Sequence, residues 1–205
     1  HYNMQEFSTI MDERSQQKVA RRMIYTIIKE IMPLFSKGVV CFIGGNHGEN
    51  RKNGRAYTTF ADNKDVMLAE ELQEIFKESP AYSKSLDFII PDNELHLTIE
   101  VSDTVLLLLH GHQMRGAGNS QAKARKWLSD QAFSRSETAD ADIVLHGHYH
   151  YFSAYESSDR LILQAPTLDS GSEWFENTKG DKSRAGMLTF VIGGEAKWDY
   201  IKVIR

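Results

Sequence analysis

The chain has a single cysteine in 205 residues, so Cys41 has no partner for a disulfide and nothing staples the fold covalently. A reducing, cytoplasmic setting is the expectation. Long apolar runs are missing as well: the longest aliphatic stretch, "VLLLL" at 105–109, falls far short of the roughly 20 residues that a membrane helix needs. Charge of one sign is not in excess. Lys plus Arg number 24 against 28 Asp plus Glu, a net charge of -4, so no general field would wrap duplex nucleic acid and any polyanion would have to bind locally. The opening "HYNMQEFST" lacks the basic, apolar and small-residue regions of a secretory signal and does not begin with Met, so the chain is expected to start inside a longer protein. At this length the residues 1–205 are expected to form one domain with a core large enough to stand without metals or disulfides.

What is present reads as α/β. From Asp12 to Phe35 the residues Val19, Met23, Ile27 and Ile31, with Ile24, Ile28 and Met32 beside them, recur at helical spacing, and Pro33 and Gly38 supply a stop. "GVVCFIGG" is short, β-branched and bounded by glycines, as a buried strand is. Residues 49–63 read as a polar loop, 64–78 as a second helix and 119–134 as a third. "ELHLTIEV" and "TVLLLLHG" read as strands about a turn at Ser102 and Asp103; "DIVLHGHYH", "YFSAYESS", "RLILQAPTL", "AGMLTFVIGG" and "AKWDYIKVIR" add further strands, the last two as a Gly-Gly hairpin. The expected fold is an α/β, two-sheet β-sandwich flanked by helices.

Five of the eight histidines fall in two places, His110 and His112 in "LLLLHGHQM" and His146, His148 and His150 in "IVLHGHYH". An H-x-H-x-H run arises by chance in roughly one chain per hundred of this length, a risk that any motif match carries. Both clusters follow apolar runs, and a third run, "CFIGG", ends in Asn46, His47 and Glu49. In open α/β sheets ligands bind beyond the carboxyl ends of the strands, which would bring these three ends to one crevice. An extended segment would set His148 and His150 on a shared face, with Gly147 allowing close backbone approach. Neutral imidazole and an amide oxygen suit Mn, Fe, Ni or Zn. A lone histidine such as His96 is more simply a hydrogen-bonded residue of intermediate burial.

These motifs resemble the calcineurin-like metallophosphoesterases. "GGNHGE" is similar to their GNH[D/E] motif, "LLLLHGH" to their isolated metal-binding histidine, and "HGHYH" to their closing GHxH, in the same order from about Val39 to Thr167. The resemblance implies a hydrolase with two divalent metal ions, Mn first among the candidates, with Asn46, His110 and His148 on one ion and His150 on the other. It implies that His47 stabilises charge or protonates the leaving oxygen. Two features depart from the family. Gly48 separates His47 from Glu49 where an acid is expected at once, and the DxH and GDxxD motifs are missing, "GDKSR" at 180–184 lacking the second aspartate. A domain lacking its N-terminal part is the expectation, nearly inactive as residues 1–205 alone.

Arg51, Lys52 and Arg55 follow the first motif, and Arg115, Lys123, Arg125 and Lys126 follow His110, so Arg51 and Arg115 are candidates for contacting a phosphate-bearing substrate. A solvated surface accounts for the same charges equally well. Tyr57, Tyr149, Tyr151, Trp174 and Phe175 could stack on bases, and the loop 164–180 would flank the site. Phosphomonoester, phosphodiester, nucleotide and nucleic acid all stay open, with nucleotide or nucleic acid favoured. The competing expectations are a non-catalytic binding or scaffolding module of the same fold and a protein that binds a single metal ion.

Overall fold

Asp12 opens the first helix: its side chain accepts the Ser15 N–H at 2.7 Å and caps α1, Glu13–Ile31. The computed structural model describes residues 11–169 and 184–205, which divide into two compact units, one up to Glu94 and one from Leu95 on. Pro33 lies in a 3-10 turn, Met32–Leu34, that ends the helix. The buried side of α1 carries Ala20, Ile24, Tyr25, Ile28 and Met32, whereas Val19, Met23 and Ile31 are exposed. Both rows advance in steps of four, but the exposed one starts one residue earlier and so lies about 100° around the helix from the buried one.

In the first unit, β1 (Gly38–Cys41) runs parallel to a strand that the sequence reading passed over. Between them, the segment read as a loop holds a small hairpin, β2 (Arg51–Lys52) and β3 (Arg55–Ala56), turned by Asn53 and Gly54 at positive φ. Helix α2 (Lys64–Lys77) follows, then β4 (Leu86–Ile89), the partner of β1. Leu72 and Phe76 are buried at the centre of this unit, and the Phe76 ring meets Tyr25, Tyr82 and Phe88 with centroids 5.1, 5.3 and 5.9 Å apart.

The second unit is a sandwich. Strands β5 (His96–Val101) and β6 (Thr104–Leu109) form a hairpin through Ser102 and Asp103, both at positive φ. Helix α3 (Ser120–Phe133) follows, and then β7 (Ile143–His146), β8 (Ser153–Ser157) and β9 (Arg160–Gln164) complete a sheet of order β5-β6-β7-β9-β8 in which β6, β7 and β9 are parallel. Ala124 and Leu128 of α3 pack on Leu107, Leu109, Val144 and Ile162. The opposite face, Leu106, Ile143, Leu161 and Leu163, is covered by the hairpin β10 (Met187–Ile192) and β11 (Trp198–Ile204) through Leu188, Phe190, Trp198 and Ile201. Being covered on both faces is why "VLLLL" reads as a continuous apolar run. His96 is half-buried and packs edge-on to Trp127. No helix among the described residues is long and apolar enough to cross a membrane.

Asp142 links the layers of this unit. Its carboxylate accepts the Val105 N–H and pairs with Lys197 in the segment between β10 and β11. Burial pushes the carboxyl up, but Lys197, the Val105 N–H and the charge of Arg160 outweigh it and hold the pKa below the ordinary 3.8. A carboxyl depressed in the folded state stabilises it above the unfolded pKa and loses that contribution as pH falls through the folded one. Asp142→Asn is therefore expected to lower stability by about 1 kcal/mol at neutral pH, since the lysine is half exposed. Urea denaturation at a series of pH values should show the gap between variant and wild type closing below pH 3.8.

Candidate functional site

The parallel strands β6 and β7 end in register, Leu109 opposite His146, and the histidines lie just beyond them. Gly111 takes φ +105°, where a Cβ would stand 3.1 Å from Met114 Cε and 3.4 Å from both Gly147 O and His146 Nδ1. It is Gly111, not Gly147, whose place requires glycine: a Cβ on Gly147 would find His110 O at an ordinary 3.7 Å. The Gly147 N–H donates to that same carbonyl at 3.1 Å, which ties the two strand ends together.

Three imidazoles gather here. The rings of His110 and His148 lie 5.2 Å apart between centroids, those of His110 and His112 5.3 Å, and those of His112 and His148 6.2 Å. Tyr149 stands edge-on to His148 at 5.0 Å and to His146 at 6.0 Å, with Lys123 Nζ 5.3 Å above its ring. Burial and the neighbouring Tyr151 raise the Tyr149 phenol above its ordinary pKa, and burial depresses His146 despite the opposing pull of the Gly147 carbonyl. His112 was seen in the sequence as one of a cluster but not as a member of the ligand set. Its two-residue spacing from His110 was the available signal.

The extended geometry expected for His148 and His150 is not what occurs. β7 ends at His146, and His148 and His150 take φ +70° and +67°. They leave the strand through a turn, so alternation along a strand does not set their directions. Histidine is among the residue types that enter the left-handed region most readily, though at some cost.

Whether the metals implied by the resemblance fit can be judged from the donors. Neutral imidazoles grouped at strand ends have the chemistry for one divalent ion. A pair of ions does not fit the trio, which contains no carboxylate to bridge them. Among the described residues no group of three or more His, Cys, Asp or Glu side chains is drawn up as an ion-holding set. The His148 ring stands edge-on to those of His110 and His112, and the His110 and His112 rings are tilted to one another.

In the first unit, "GGNHGE" is fastened to the start of α2. Asn63 accepts the Asp65 N–H at 2.8 Å as the helix cap and donates to Gly45 O at 2.9 Å, and Asp65 accepts the Gly45 N–H at 2.9 Å. Asn46 is buried and His47 exposed. Desolvation raises the Asp65 pKa, while the Gly45 hydrogen bond and the charge of His47 act the other way. Asp65 is therefore an acid close enough to feel the charge of His47. Glu49, one residue beyond the place where the motif it resembles has its acid, pairs with Arg51 at 2.6 Å. Sequence reasoning missed Asp65, whose signal was a carboxylate in the first turn of a capped helix.

Gly48 explains the departure from the family motif. A Cβ there would meet Asn63 Oδ1 at 2.1 Å and Asp65 Oδ2 at 2.7 Å. Both are held by hydrogen bonds and cannot yield cheaply. Gly48→Ala should cost about 1–3 kcal/mol, read from urea denaturation, as an overpacked buried position does.

The basic residues disperse. The Arg51 guanidinium donates to Asn46 O at 3.2 Å and Gly54 O at 2.9 Å besides Glu49, so it pins its own turn. Arg115 is exposed, Arg125 lies over Tyr155, and Lys126 pairs with Asp130. Tyr57 is exposed, and the Tyr151 hydroxyl bonds Ser120 Oγ at 2.9 Å. Trp174, Phe175 and most of the loop 164–180 and of "GDKSR" lie outside the described residues.

No family model matches the chain, and no curated protein matches it by sequence. Among solved structures it is similar to a double mutant of Vps29 from Entamoeba histolytica, 13% identical over 87% of this chain and 89% of that one, with a TM-score of 0.45. An archaeal phosphodiesterase is 18% identical over 87% and 76%, with a TM-score of 0.43. A predicted phosphoesterase from Streptococcus pneumoniae is 15% identical over 74% and 78%, with a TM-score of 0.35. Likenesses of this degree carry no weight for activity, and the functional reading stands on the residues of the chain.

Proposed function

We propose a divalent-metal-dependent phosphoesterase acting on a phosphomonoester or phosphodiester, with nucleotide or nucleic acid as the favoured substrate class. The observation that carries the reading is the gathering of His110, His112 and His148 beyond the parallel strands β6 and β7. His110 and His148 would hold an ion, with His112 beside them. A divalent ion supplies Lewis-acid polarisation of a phosphoryl oxygen and a water of lowered pKa. Tyr149, with Lys123 above it, walls the rings and places a positive charge where an anionic ester would be held. Arg115, exposed just after the trio, is the better candidate for substrate contact, because Arg51 is engaged within its own turn. His47, exposed, takes the charge-stabilising role as a proposal, and a cytoplasmic setting belongs to the same reading.

A non-catalytic binding module is the second reading, favoured by the DxH and GDxxD motifs that this sequence does not carry. Hydrolysis of bis(p-nitrophenyl) phosphate in the presence of Mn separates the two. The enzyme reading expects turnover that His110→Ala abolishes. Nucleotide binding with no turnover in the complete gene product would favour the module.

A further inference from the structure

Two buried polar side chains sit where the sheet would otherwise carry apolar ones. His146 ends β7 and Gln164 ends β9, opposite one another in register and only 1% and 0% exposed. The preceding residues on the same face, Val144 and Ile162, are core. His146 Nδ1 lies 3.1 Å from Gly147 O, and since a carbonyl can only accept, the ring carries its proton on Nδ1 and donates it there. Gln164 Nε2 donates to Tyr151 O. Among the described residues, the buried acceptors His146 Nε2 and Gln164 Oε1 have no hydrogen-bond partner. Such a pair is unfavourable for stability, and packing alone would select apolar residues at both places.

We propose that His146 and Gln164 are positioning residues: a buried pair that clamps the turn 147–151 at its entry, through Gly147 O, and at its exit, through Tyr151 O, and so sets the directions of His148 and His150. The backbone requires such a clamp. His148 and His150 both hold positive φ, which for a residue other than glycine persists only where its surroundings over-determine it. The neighbouring backbone bonds, Tyr149 N–H to Gly147 O at 2.9 Å, Ala165 N–H to His146 O at 2.8 Å and Thr167 N–H to His150 O at 3.3 Å, frame the same turn but leave the Tyr151 carbonyl to the glutamine. The consequence for an ion rests on the metal-dependent reading above; the clamp itself does not.

The test separates the two. Amide hydrogen exchange by NMR on the metal-free chain is expected to quicken at least about tenfold at Tyr149 and Thr167 in His146→Phe and Gln164→Leu, with Leu107 in β6 unchanged. His146→Asn places an amide N–H where Nδ1 stood and should restore protection to within about threefold of wild type, whereas His146→Gln, whose N–H falls at the Nε2 position, should not. Calorimetry with Ni should show affinity reduced roughly 10–100-fold in His146→Phe and recovered in His146→Asn, the range over which loss of a ligand's supporting partner acts. Unchanged exchange at Tyr149 and Thr167 in folded His146→Phe and Gln164→Leu overturns the proposal. If those variants do not fold, equal protection in His146→Asn and His146→Gln overturns it, and protection in the first alone supports it. If the wild type takes up no Ni, the metal reading falls and exchange still decides the clamp.

Discussion

Removing the His148 ring should lower the affinity of the protein for Ni or Mn by more than about a hundredfold, because loss of a ligand costs more than the roughly 10–100-fold typical of losing an outer partner. The choice of variant matters. His148 sits at φ +70°, where alanine would add backbone strain, so His148→Gly is the cleaner deletion. His110→Ala should act similarly, since the two ring centroids lie 5.2 Å apart. His112→Ala should cost less if its ring supports the other two and as much if it is a third ligand. Binding should weaken as pH falls, since protons compete with the ion for imidazole nitrogen. Calorimetry at neutral pH reads all of this, and an affinity for Ni and Mn that His148→Gly leaves intact would remove the metal reading.

Phe76→Ala is expected to have the largest effect on folding. The ring is 1% exposed and makes three aromatic contacts, with Tyr25 of α1, Tyr82 and Phe88 of β4. Deleting it removes the group that joins both helices of the first unit to its strands. A buried phenylalanine replaced by alanine costs about 3–5 kcal/mol through lost transfer energy and the cavity left behind. Urea denaturation followed by circular dichroism should show an early transition, and a loss below about 1 kcal/mol would mean that the site collapses around the smaller side chain. Phe76→Leu, which keeps most of the volume, should recover the larger part.

The helices were legible almost residue by residue, because each carried its own punctuation: Asp12, Asn63 and Asn119 all cap the helices they precede. So were β6, β7 and β9 of the second unit, whose apolar runs are short and bounded by turn residues. β4 was passed over because "LDFI" is only four residues long with a charge inside it, and it becomes a strand by pairing with β1. The buried side of α1 was read in part only, since exposed apolar residues share its spacing.

Composition and periodicity by themselves determined the α/β class, the absence of disulfides and the places where histidines leave the strands, because these depend on residue type and on spacing along one segment. Tertiary structure alone decided that Asp65 comes within reach of the charge of His47, that Arg51 is held within its own turn, and that His112 completes a trio with His110 and His148. It also decided that His148 and His150 leave the strand by a left-handed turn beside the buried His146 and Gln164. The reason is physical: hydrogen-bond partners and ring contacts depend on which segments meet, and segments far apart in sequence meet only when the chain has folded.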